Sequence, residues 1–341
     1  MSLFRAEFRR LGRRRLTSWM LALVLALMAV VAVVVAIEHQ RPGPAATAAA
    51  EAAAEREYRE QLVWMEQEIA ACQQAQDEGT DEQFGWPEDC QEIRQWYPSQ
   101  ADLVQFNLPP AFEFRAGFGD MITVLVGLLA MAGFIVGASF VGAEWRSGGM
   151  MNLLLWRPRR LVVLGAKLLA LLAALLGSGV LLGALWTGGF WLIARFRGIT
   201  DTMTAGAWQS FGLAGLRGLA LALVAGAIGF ALASLGRHTA MAMGSAIAAF
   251  VVGVAGVGII AGGMLQLPFW ERWMWPTYLT AWLDTSVTLR DFTAPCEPGL
   301  GGDCVPPMME ITWQQSGVGI AVVVALLLGA AMWQMRRRDV T

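Results

Sequence analysis

Gly142-Ala143-Glu144-Trp145-Arg146-Ser147-Gly148-Gly149-Met150-Met151-Asn152-Leu153-Leu154-Leu155-Trp156-Arg157-Pro158-Arg159-Arg160 interrupts what would otherwise be one apolar run from Phe118 to Ala194. Its arginines hold the interruption on one side of a bilayer. Gly148-Gly149 supplies backbone freedom, and Pro158 disfavours helix at Arg157, marking an end. Between them, Met150–Trp156 is as apolar as the flanking runs. A segment of that composition outside the hydrocarbon needs either a protein groove to receive its Met, Leu and Trp side chains or an inner leaflet to rest on; methionine is adaptable in such contacts.

Working outward, the chain of 341 residues is 56% hydrophobic and 15% charged, with a mean hydropathy of +0.50. Soluble domains carry about 25% charged residues, so the composition is that of a membrane protein. Six stretches reach the roughly 20 residues that cross a hydrocarbon core: 17–37, 118–143, 161–194, 209–235, 239–266 and 316–335. The first follows Arg13-Arg14-Arg15, but it is too long for a signal-peptide core and lacks a small-x-small cleavage site, so it reads as a retained anchor. The expected class is an all-α membrane protein with six transmembrane helices, an N-terminal interfacial amphipathic helix, a cytoplasmic coupling helix and a partly helical extracellular insertion.

The net charge of −2 hides an asymmetry. Residues 1–16, the loop 144–160 with nearby Lys167, the turn 236–238 and the tail 336–341 hold 15 of the 25 basic residues against three of the 27 acidic ones. Basic loops stay inside, so both termini are expected to be cytoplasmic, in a bacterial plasma membrane. In residues 1–16, Phe4, Phe8 and Leu11 share one helical face while Arg5, Arg9, Arg10, Arg13 and Arg14 lie off it. That pattern suits a helix in the inner interface with arginines at anionic headgroups; a topology-setting basic tail is the plainer alternative. Gly12 marks a place for the helix to end or bend. The phenylalanine stripe argues against nucleic acid as a partner.

Three segments face outward: 38–117, 195–208 and 267–315. The first contains an Ala/Glu-rich helical stretch from Ala45 to about Ala75, with Tyr58, Leu62, Met65 and Ile69 on one face. The last opens with Phe269, Trp270, Trp273, Trp275, Tyr278 and Trp282, a density that belongs at headgroup level and predicts an interfacial or re-entrant helical piece. Cys72 and Cys90 lie in the first, Cys296 and Cys304 in the last. Cysteines confined to the outer face are expected to form disulfides, paired within each loop by proximity. No histidine accompanies either pair, so no metal site is expected.

Ionisable groups inside a membrane are functional hypotheses by default, and here they are scarce, which argues against a proton- or sodium-coupled carrier. Arg217 either snorkels outward or meets an anionic substrate group or Asp120, which makes Arg217 and Asp120 candidates for a substrate path. Lys167 is expected to snorkel inward. Ser178 within Gly177-Ser178-Gly179 invites an intramembrane protease reading, but it lies about 25 Å past the cytoplasmic entry at 1.5 Å per residue, and His238 sits at a cytoplasmic helix end. The pair cannot meet, and these glycines are expected to serve helix packing; Gly253, Gly256, Gly258, Gly262 and Gly263 are expected to bring the fifth span close to a neighbouring helix or to a partner subunit. No Gly-x-x-x-x-Gly-Lys-Ser/Thr run occurs, so no catalytic residue is assigned and any nucleotide chemistry belongs to another chain.

These residues resemble an ABC transporter permease of the ABC-2 type, the type V exporter architecture. Glu144 and Gly148 stand as in the family's Glu-x-x-x-Gly signature. Met150–Leu155 with Arg157-Pro158 is similar to its coupling segment, and Gly236-Arg237-His238-Thr239-Ala240 resembles its turn between the fourth and fifth spans. The large cysteine-bearing first loop is similar to that of actinobacterial variants. The resemblance implies a dimer of permeases, identical or paralogous, over two copies of an ABC ATPase subunit that binds ATP and Mg. It assigns coupling to Glu144, Gly148, Gly149, Met150, Met151, Asn152, Leu153, Leu154, Leu155 and Trp156. It implies export, and the apolar, Gly-rich spans favour an amphiphilic, drug-like or lipid-like compound as the cargo. A secondary carrier or channel without an ATPase, and a membrane sensor or scaffold using its outer loops, are the competing expectations.

Overall fold

The computed structural model describes residues 3–79, 85–156, 159–291, 293, 297–298 and 304–337, without the side chains of Leu154, Trp156, 297–298 and 304–305. Cys296, Arg157 and Pro158 therefore lie outside the described residues, and so does the expected Cys296–Cys304 pairing. The chain divides into two compact units: residues 1–30, 115–189 and 203–341, and residues 31–114 with 190–202.

The first unit is a helical bundle. Leu3–Gly12 forms a short helix that ends where glycine lowers helix propensity. Among the described residues, six helices are long and apolar enough to cross a membrane: Arg15–Glu38, Phe114–Arg146, Arg160–Arg197, Ala205–Gly236, Thr239–Met264 and Trp313–Arg337, here called spans 1 to 6. Spans 2, 3 and 4 run 33, 38 and 32 residues, longer than the roughly 20 that the hydrocarbon core requires.

Spans 2 and 4 pack backbone to backbone. A Cβ added at Gly133 would lie 2.9 Å from the Ala222 carbonyl oxygen, and one added at Gly137 would collide with the Gly226 carbonyl. In lipid, where apolar burial offers little drive, such small-residue contacts are what bring helices together. The glycines at 177 and 179 behave differently from the packing expectation: Gly177 faces open space, and only Gly179 meets a neighbour, the Leu219 methyl.

Span 5 departs further. After Phe250 it widens into π-helix over Val251–Gly256 and Gly258–Met264. Its glycines do not bring another span close. A Cβ at Gly253 would sit 2.9 Å from the Trp275 ring and one at Gly262 2.8 Å from the Trp270 ring. Those rings belong to the short helices Trp270–Trp273 and Trp275–Asp284, and the latter packs on spans 4 and 6. An antiparallel ribbon then pairs Ser286–Arg290 with Met308–Thr312, burying Leu289 and Ile311 against Ala281.

The second unit holds a helix over Pro44–Glu78, with proline in its first turn and Gly79 in the left-handed conformation closing it. Met65 and Ile69 of its apolar face pack on Ile93 around the Cys72–Cys90 disulfide. Ser99 caps the helix Gln100–Asn107 in a capping box, and its hydroxyl and amide hold the Asp102 carboxyl below the usual carboxylate range. The disulfide closes a loop with a sequence separation of 18. Cys72→Ser is expected to destabilise this unit by about 3 kcal/mol, seen as faster proteolysis between Gly79 and Trp96; equal proteolysis would show the staple to be dispensable.

Candidate functional site

The C-terminal end of span 2 turns on Gly148, whose positive φ of 71° suits glycine. The helix Gly149–Trp156 follows, and span 3 restarts at Arg160. The helix is two-faced. Met150 is fully buried and Leu153 packs partly against the same cluster, which includes Leu11, Phe140, Val141 and Leu164. Asn152 is exposed and Leu155 is 77% exposed, so these two define the outward face among the described side chains.

Behind this helix lies a buried charge cluster that sequence reading missed. Glu144, 1% exposed, places Oε2 at 2.7 Å from Lys167 Nζ; its Oε1 stands 3.4 Å from Arg10 Nη1 and 3.8 Å from Arg14 Nη2. Lys167 Nζ also reaches Glu7 Oε2 at 2.6 Å. Lys167 does not snorkel to the surface: its side chain is fully buried, with Nζ 5.0 Å from the centre of the Phe140 ring. Arg14 lies over the same ring at 5.2 Å and donates to the Ser139 carbonyl at 3.1 Å. Burial pushes the Arg14 guanidinium below its usual range and Glu144 opposes that shift.

Two acidic and three basic side chains thus join the N-terminal helix, the end of span 2 and the entry of span 3. The Glu144 oxygens are held by charge, without aligned hydrogen bonds. Such a group costs several kcal/mol per ion to desolvate, and that cost is recovered only while every partner is present. Arg10, half exposed, also reaches the start of the Gly149–Trp156 helix, with Nη2 3.8 Å from where a Gly149 Cβ would stand. Leu11 enters the core, whereas Phe4 and Phe8 stack on one another at the surface, ring centres 6.0 Å apart.

The turn after span 4 approaches the same region. Arg237 takes a left-handed conformation and lays its guanidinium 4.8 Å from the Trp145 ring. The His238 Nδ1 accepts from the Ala240 amide, capping span 5. The candidate substrate-path pair is not brought together: Arg217 lies 5.6 Å over the Trp313 ring and its carbonyl accepts from Trp282, while Asp120 is exposed.

A bundle of six span-length helices, gathered at one end around a short N-terminal helix and a short loop helix, defines a multi-pass membrane protein. The profile of the ABC-2 family transporter proteins matches residues 1–269, and the chain belongs to that family. The match takes in spans 1 to 5 and the charge cluster, and stops within the aromatic segment before span 6. No curated protein and no solved structure matches the chain.

Proposed function

We propose that this chain is the membrane-spanning, non-catalytic subunit of an ABC exporter. It works as a dimer over two copies of a separate ATPase that carries ATP and Mg, with both termini cytoplasmic and the disulfide-bearing unit outside. The cargo is an amphiphilic, lipid-like compound.

The observation that carries this reading is the division of the Gly149–Trp156 helix. Met150 anchors it in the bundle core while Leu155 stands free, so a partner gripping the outer face pulls on the buried one. The Glu144 cluster then passes that movement to spans 2 and 3 and to the interfacial helix as one body. Membership of the ABC-2 family supports a motor on another chain.

Leu155→Asp tests it. The variant is expected to insert at the wild-type level, because the side chain is already exposed. It should lose the ATPase that co-purifies with the wild-type chain in mild detergent, and with it ATP-dependent efflux, since a charge buried at an interface without a counter-charge costs several kcal/mol. Unchanged co-purification and efflux would place the helix on lipid. Flux by the purified chain with no nucleotide-hydrolysing partner would make the protein a secondary carrier.

A further inference from the structure

The N-terminal helix Leu3–Gly12 presents three separate faces. Glu7 and Leu11 are buried in the bundle, and Arg10 reaches Glu144 from the edge of that face. Phe4 and Phe8 stack on one flank, 38% and 43% exposed. Arg5 and Arg9, one turn apart, lie on the far side; Arg9 is two residues from Glu7, roughly 160° around a helix of 3.6 residues per turn. Arg13 continues the row, since its amide still bonds the Arg9 carbonyl. All three arginines are exposed, and none makes an ion pair among the described residues. The cluster behind them counts three basic against two acidic side chains, so it offers the row no counter-charge.

What this row can meet is limited by what ties the helix down. Span 1 starts at Arg15, three residues after Gly12, and extended chain covers at most about 3.6 Å per residue. Glu7, near the middle of the helix, is pinned to Lys167, two turns into span 3. The helix is therefore held against the ends of two spans. Trp19, one turn into span 1 and 72% exposed, is a residue type that marks headgroup level. At that level Phe4 and Phe8 suit the acyl boundary, and a guanidinium matches a phosphate through paired, charge-assisted hydrogen bonds. An acidic protein would answer the arginines but leave the phenylalanine pair in water; a lipid surface answers both.

We infer that Arg5, Arg9 and Arg13 form a binding site for the headgroups of anionic phospholipids in the adjoining leaflet, and that its occupancy is linked to the Glu7–Lys167 ion pair. The lipid holds the outer face of the helix while the ion pair holds the inner one, so each strengthens the other. The inference goes beyond the exporter reading and does not rest on it, because lipid binding needs no ATPase.

The test is native mass spectrometry of the purified full chain in neutral detergent, titrated with phosphatidylglycerol or with phosphatidylcholine. The wild type is expected to bind the anionic lipid more tightly. An arginine at an anionic surface contributes about fivefold to binding, so Arg5→Gln/Arg9→Gln should lower phosphatidylglycerol affinity about 25-fold. Arg336→Gln/Arg337→Gln removes the same charge from the other terminus and should leave it unchanged. Glu7→Gln separates linkage from plain charge attraction. It makes the helix more positive, yet it should weaken phosphatidylglycerol binding, because the helix loses its hold on Lys167. Equal binding of the two lipids, which a basic tail serving only topology would give, would overturn the inference. So would equal losses in the two arginine pairs, unchanged or tighter binding in Glu7→Gln, or displacement of the lipid by inorganic phosphate. Lipid binding as expected in a chain that proves not to partner an ATPase would sink the exporter reading and leave this site standing.

Discussion

Lys167→Met is expected to destabilise the membrane bundle by about 3–5 kcal/mol, the cost of removing one partner from a buried ion pair. The ammonium is fully enclosed and holds two carboxylates, Glu7 at 2.6 Å and Glu144 at 2.7 Å. Without it Glu144 keeps only the longer contacts to Arg10 and Arg14, and Glu7 keeps no ion pair within 4 Å among the described residues, only the more distant attraction of Arg14. Two carboxylates would then face each other in a dry site, and the interfacial helix would be pushed off the bundle. Glu7→Gln on the same background should return part of the loss, because it removes the stranded charge. That recovery measures the coupling between the two residues. Lys167→Arg is not a conservative rescue, since a planar fork replaces a compact point charge in a filled space. Thermal melting in detergent, followed by tryptophan fluorescence, reads the effect. A Lys167→Met melting temperature equal to that of wild type would mean that the cluster contributes no stability and does not hold spans 2 and 3 and the N-terminal helix as one body.

The spans were legible because hydropathy is a local sum: 18 to 20 apolar residues in a row need no knowledge of what they touch. The end of the interfacial helix at Gly12 was legible for the same reason. The charge cluster was not, because it is assembled from Glu7 and Lys167, 160 residues apart, and a lysine near a span entry reads most simply as snorkelling. Two signals were present all the same. Lys167 is the chain's single lysine, and Glu7 is the single acid in the basic N-terminal segment. Glycine density did not mark the contacts within the chain. The run from Gly253 to Gly263 drew attention in a helix that packs on aromatic rings, while the contact between spans 2 and 4 uses the sparser pair Gly133 and Gly137. Spacing marks a candidate packing face, but only the neighbour decides whether it is used. The outward face of the loop helix shows the same limit, since Met150 and Leu155 are equally apolar in sequence and opposite in exposure.

Gly137→Ala is expected to be the most damaging methyl addition in the bundle, and Gly127→Ala ten residues earlier on the same helix is expected to be harmless. A Cβ at Gly127 meets nothing within 4 Å, so alanine adds helix propensity there, up to about 1 kcal/mol. A Cβ at Gly137 collides with the carbonyl oxygen of Gly226, a backbone atom that no rotamer change can move aside. Spans 2 and 4 must then part. The contact extends over neighbouring turns, through Gly133 on Ala222 and Gly229 on the Phe134 carbonyl, so separation at one point weakens all of it. Overpacking costs about 1–3 kcal/mol where side chains can adjust, and here the obstacle cannot. Gly137→Leu should therefore abolish accumulation of the protein in the membrane. Under the proposed function the consequence extends to transport, because span 2 carries Glu144 and the turn into the loop helix, and Arg237 at the end of span 4 lies against Trp145. If spans 2 and 4 move as one body, the level of efflux in Gly137→Ala should fall in step with its loss of thermal stability. Gly137→Ala melting like Gly127→Ala, with efflux intact, would show that the two helices separate freely.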